Sequence, residues 1–137
     1  PTLLAGHTVM KMAKESDFMS DAIKVKAIDV SSAMAGNFTK AYEAGVNIAY
    51  GTDSGVSRHG TNAYEAILMY EAGMSASDIL KSATVNAADL IDHSDSLGTV
   101  EPGKHADIIA TAQSPLKDIT ALLKVDFVMK GGVIVKQ

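Results

Sequence analysis

Ala44-Gly45-Val46-Asn47-Ile48-Ala49-Tyr50-Gly51-Thr52-Asp53-Ser54-Gly55 is the stretch that decides how this chain reads. Gly45 stands where a helix should stop, because glycine takes the left-handed conformation of a C-terminal cap at no steric cost. Val46 to Tyr50 is a short apolar run, which predicts a strand. Gly51 and Gly55 bracket Asp53, so the backbone can turn sharply there and approach a ligand closely. A carboxylate just beyond the C-terminal end of a strand lies on the edge where α/β folds collect ligands and catalytic groups. It can bind a hard or borderline metal ion there and accept a proton from water bound to that ion. The same spacing suits a loop aspartate that caps a turn or the next helix. Spacing alone leaves both readings open.

On the N-terminal side, the spacing predicts a long helix over 18–44. Its apolar positions include Ala22, Ile23, Ala27, Val30, Met34, Phe38 and Tyr42, and Gly36 and Asn37 are expected to interrupt it. Residues 2–5 form a short apolar run that reads as the end of an earlier strand. On the C-terminal side, a helix is predicted over 62–72, closed by Gly73. Another is capped by Ser75 or Ser77 ahead of Ile79, Leu80 and Ala83, and a short one covers 85–91. Residues 1–96 therefore read strand–helix–strand–helix, the pattern of a parallel sheet with crossover helices. The pattern changes after residue 96. Leu97 to Gly103 is rich in turn residues, and Ala106–Thr111 reads as a strand. Pro115–Leu123 reads as a short helical connection. Val125–Met129 and Val133–Val135 are β runs joined through Lys130-Gly131-Gly132, a hairpin signal.

Other candidate groups surround Asp53. His59 follows in the same loop and could contact substrate or polarise a carbonyl. Arg58, beside it, could clamp a carboxylate or be an ordinary surface charge. His7 is placed beyond the first expected strand, on the same edge as Asp53, and His93 and His105 carry no assigned role. No His-x-His pair and no His-Glu-x-x-His helix occurs, so a self-contained metal site is hard to build. Gly-Thr-Asp-Ser-Gly is not a nucleophile elbow either, since its central residue is aspartate.

Composition narrows the field. The 137 residues are 47% hydrophobic and 20% charged, enough for a real core. A net charge of −4 offers no basic footprint for nucleic acid. The absence of cysteine excludes disulfides, thiolate zinc sites and a cysteine nucleophile. No apolar run reaches the roughly 18–20 residues needed to span a membrane. Pro1-Thr2-Leu3-Leu4-Ala5-Gly6-His7 lacks the charged region of a signal peptide and reads as mid-protein sequence.

The order of motifs resembles the amidohydrolase superfamily. Ala44 to Gly55 is similar to its eighth barrel strand, and His59-Gly60, Asn62 and Glu65 continue the likeness. Glu71-Ala72-Gly73-Met74 and Ala83-Thr84-Val85-Asn86-Ala87-Ala88 extend it. Leu97 to Asp107 resembles the return to a β-sandwich domain, and Val128 to Gly132 its closing hairpin. The branch most resembled is that of Xaa-Pro dipeptidases and imidazolonepropionase-like enzymes.

The resemblance implies an α/β fold: the C-terminal part of a (β/α)8 metal-dependent hydrolase barrel plus strands of a small β-sandwich. Residues 1–96 would be its seventh and eighth strands with their helices, and residues 97–137 the sandwich segment. It implies a divalent metal, zinc by type, bound by Asp53, which also shuttles a proton from the hydrolytic water to the leaving amine. It implies that His59 lines the pocket of a small amide or dipeptide substrate. A barrel of this kind takes about 250 residues, and the family's His-x-His, its bridging lysine and its other histidine ligands are absent here. One carboxylate is short of the roughly three protein ligands that a zinc centre needs. The chain by itself is therefore expected to be inactive. Its expected partners are the missing N-terminal barrel portion and further copies of itself, with no nucleic acid and no membrane. The expected compartment is the cytoplasm before the periplasm.

Overall fold

Helix α1, Leu3–Glu15, begins inside the apolar run that reads as a strand from sequence. A continuous apolar run carries no period, so it suits a strand or a buried helix equally. Here the choice is made from far away in the chain. The amides of Leu3 and Leu4, which no helical carbonyl can satisfy, donate to the two carboxylate oxygens of Glu65 at 2.9 and 2.6 Å. His7 thereby lies within α1 and not beyond a strand.

The computed structural model describes residues 1–15, 17 and 19–137. The expected start of the long helix at 18 falls outside the described residues. The helix, α2, runs over Asp21–Glu43. It passes through Gly36 and Asn37 without a break. A mid-helix glycine costs about 1 kcal/mol, which a helix of 23 residues absorbs. Its end follows the sequence: Gly45 has φ +75°, and the amides of Gly45 and Val46 donate to Tyr42 and Ala41 carbonyls. That pairing is the Schellman motif, which satisfies carbonyls left open by the last turn. Gly6 of α1 lets α2 close in, since a Cβ at Gly6 would sit 2.4 Å from the Met34 sulfur.

Helix α3, Tyr64–Glu71, ends in a second Schellman pairing around Gly73 at φ +96°, with Met74 donating to Met69. Thr39 of α2 donates its hydroxyl to the Ala72 carbonyl at 2.8 Å, satisfying an acceptor at that end. Helix α4, Ala76–Ala83, is capped by Ser75, whose hydroxyl accepts from the Asp78 amide at 3.1 Å. Helix α5, Val85–Leu90, follows directly.

The expected strand at Val46–Tyr50 does not form. The segment is extended, but no strand of this chain pairs with it among the described residues. Its polar groups find helices instead: Tyr50 donates its amide to Ser82, and Asn86 donates its side-chain amide to the Ile48 carbonyl. The strand–helix–strand–helix reading of residues 1–96 is thus replaced, within this chain, by helices joined through extended segments. A parallel strand exists only through its neighbours.

The C-terminal reading fares better. Strands β1 (Ile108–Ala110), β2 (Phe127–Lys130) and β3 (Val133–Lys136) form an antiparallel sheet in that order. Gly131 and Gly132 turn β2 into β3 at φ +56° and +81°, as a two-residue hairpin loop requires. A 3₁₀ turn at Ile119–Leu123 lies between β1 and β2, capped by Asp118. The register between β2 and β3 is irregular once, between Val128 and Met129.

The chain forms two compact units. One holds Pro1–Asn47 and Gly51–Met74, with Leu4, Ala13, Phe38, Ala66 and Met69 in its core. The other holds Ile48–Tyr50 and Ser75–Gln137, centred on Ile48, Ile79, Ala88 and Ile119. Among the described residues, no helix is long and apolar enough to cross a membrane.

Candidate active site

The segment from Gly51 to Asn62 has no regular structure and carries most of the candidate groups. Asp53 lies three residues past Tyr50, at φ +48°. That left-handed conformation costs an L-residue about 1–2 kcal/mol, least for aspartate and asparagine. The Gly55 amide donates to the Asp53 carbonyl at 2.8 Å, closing a tight turn that leaves Asp53 exposed. His59 and Arg58 are exposed in the same loop. Thr61 fixes the far end, donating its hydroxyl to the Arg58 carbonyl at 2.6 Å. A turn of this kind presents a carboxylate to solvent while holding its backbone still.

The other histidines lie apart from this loop in sequence and serve local structure. The ring of His7 packs against Tyr64 with centroids 5.6 Å apart. His93 donates its amide to Ala88 where α5 ends, and His105 donates its amide to Ser96. Among the described residues, no three histidine, aspartate or glutamate side chains cluster to hold a metal ion. The donor set of this chain does not fit a zinc centre, which needs about three protein ligands.

A second carboxylate went unassigned in the sequence. Glu65 is fully buried in α3 and holds the first two amides of α1. Burial pushes its carboxyl above the usual value, while the Leu4 and Leu3 amides and the positive N-terminus pull the other way. The signal available was its place directly ahead of the apolar run Ala66-Ile67-Leu68-Met69, which puts a charge among core positions. The second unit holds a cavity of about 310 Å³ lined by Ala83, Ala87, Leu97 and Val100, with His105 and Asp107 on its wall. Asp107 is already engaged there: it accepts from the Gly131 amide at 2.7 Å and from the Lys130 ammonium. Those two donors hold its carboxyl below the ordinary value, Lys130 more strongly.

The chain belongs to the amidohydrolase family, whose sequence profile matches residues 5–135. A solved Xaa-Pro dipeptidase, with methionine bound in its active site, is 42% identical and superposes with a TM-score of 0.95, covering 100% of this chain and 34% of that one. Imidazolonepropionase of Thermoanaerobacter pseudethanolicus is 38% identical over 76 residues, 53% of this chain and 18% of the relative. Ochratoxinase of Aspergillus niger is 36% identical over 113 residues, 76% of this chain and 23% of the relative. The chain thus spans about a third or less of the length of these proteins.

Proposed function

We propose that Asp53 is the proton-transferring carboxylate of an enzyme that hydrolyses the amide bond of a small substrate, an Xaa-Pro dipeptide. The observation that carries this is an exposed aspartate at φ +48° in a closed turn, inside a chain that matches the family almost end to end. Asp53 accepts the proton lost by the attacking water and delivers it to the leaving nitrogen, which must be protonated before it can depart. His59, exposed in the same loop, contacts the substrate. Residues 1–96 supply part of a barrel and 97–137 part of a sandwich. The divalent metal of the family is held, in this reading, by Asp53 together with ligands outside these residues. The 137-residue chain by itself then hydrolyses nothing.

The dipeptide is favoured by the likeness to the Xaa-Pro dipeptidase over the whole chain. The test is turnover of methionyl-proline by the intact protein and by its Asp53→Asn variant. General acid–base groups contribute about 10²–10⁴-fold, so the variant should lose at least about a hundredfold in kcat. Turnover that survives within about tenfold removes Asp53 from this role.

A second reading is favoured by the likeness to imidazolonepropionase over half of the chain: the substrate is a cyclic amide. Hydrolysis of imidazolonepropionate in preference to methionyl-proline selects it. In a third, the chain is a separate subunit that completes a partner's barrel. It is favoured by the exposed Ile23, Val25 and Val30 of α2, which look for cover. Recovery of activity on mixing this chain with one bearing the missing ligands selects it.

A further inference from the structure

Asp53, Ser54, Gly55, Val56, Arg58 and His59 are all exposed, but Ser57, in their midst, is buried. Ser57 keeps only 9% of its surface accessible. Its hydroxyl donates to Ser54 Oγ at 3.0 Å, and Ser54 Oγ donates in turn to Thr52 Oγ1 at 3.0 Å. The hydroxyl chain therefore runs from the loop's buried point to the two residues that flank Asp53. Between those flanks the Asp53 backbone stands at φ +48°. A residue persists in such a conformation only where its surroundings over-determine it. The turn bond from Gly55 to the Asp53 carbonyl supplies one constraint, and the hydroxyl chain supplies the other.

We propose that Ser57 is the positioning residue of Asp53: through Ser54 and Thr52, its hydroxyl holds the turn that presents the Asp53 carboxylate. The catalytic consequence rests on the reading of Asp53 given above. Removing the Ser57 hydroxyl takes the donor from Ser54 and leaves the turn free to relax towards ordinary backbone conformations. The carboxylate then samples positions away from the reacting atoms, and misplacement by about 1 Å is enough to cost turnover heavily.

The test compares Ser57→Ala, which deletes the hydroxyl, with Ser57→Thr, which keeps one, in the intact protein. In Ser57→Ala, the Gly55 amide should exchange with solvent at least about tenfold faster by NMR, while Tm and the amides of α3 stay unchanged. Ser57→Thr should restore the slower exchange. With methionyl-proline as probe, Ser57→Ala should lower kcat about tenfold or more and leave KM within about twofold. It should add nothing in the Asp53→Asn background, because the two residues act through one group. Unchanged Gly55 exchange overturns the proposal whatever the kinetics, and so does an additive loss in the double variant. Full turnover by Asp53→Asn alone is a different outcome, and sinks the reading of Asp53 instead.

Discussion

Glu65 and Asp107 hold the chain by the same device in two different environments. Each offers both carboxylate oxygens to two donors from elsewhere in the sequence. Glu65 takes the Leu3 and Leu4 amides, 62 and 61 residues away, and is fully buried. Asp107 takes the Gly131 amide and the Lys130 ammonium, 24 and 23 residues away, at the surface. Desolvation dominates at Glu65 and pushes its carboxyl up, whereas the Lys130 hydrogen bond dominates at Asp107 and pulls its carboxyl down. The number of hydrogen bonds is equal, so the surroundings decide what each bond is worth.

The contrast breaks most easily at the buried end. Glu65→Ala leaves two helix amides of α1 without acceptors in the core, and each unsatisfied buried group costs about 1–3 kcal/mol. A loss of about 3 kcal/mol or more in denaturant unfolding is expected. A loss below about 1 kcal/mol would mean that α1 is not anchored through Glu65. The next effect lies in the second unit, where short-range packing replaces buried charge. Gly98 has φ +92°, and a Cβ there would meet Ala88 Cβ at 3.0 Å and the Thr84 carbonyl at 3.3 Å. Gly98→Ala should cost about 1–3 kcal/mol through backbone strain and contact together. A neutral result would show that the turn between α5 and the sheet is loose.

The smallest effect is a matter of sign. The folded pKa of Glu65 is raised from 4.5, so its stabilising contribution is full below that value and is lost as pH rises through the folded pKa. That of Asp107 is lowered from 3.8, so its contribution is present above that value and is lost as pH falls through the folded pKa. Stability measured across about pH 3–7, relative to Glu65→Gln and Asp107→Asn, should therefore trend in opposite directions. Parallel trends would erase the difference between the two environments.

Legibility in the sequence follows the same line. The stops at Gly45 and Gly73, the Ser75 cap and the Gly131-Gly132 hairpin were all readable, because each is closed by partners a few residues away. The run at 2–5 misled because its deciding partner is Glu65. The run at 46–50 misled because a strand is defined by neighbours that the described residues do not offer it. In the site, the glycine-flanked loop and its exposed acid were legible as a pattern. The left-handed backbone of Asp53 and the burial of Ser57 were not, since serine in a polar loop carries no mark of burial.

By itself, then, the sequence determined the helix ends, the C-terminal hairpin and the order of motifs that marks the family. Those features rest on local backbone geometry, which a few neighbouring residues fix. Tertiary structure alone decided that α1 is a helix, that Glu65 is a buried anchor, and that a line of hydroxyls from Ser57 reaches the flanks of Asp53. Burial and long-range hydrogen bonds set those outcomes, and the free energy of each depends on what surrounds the group.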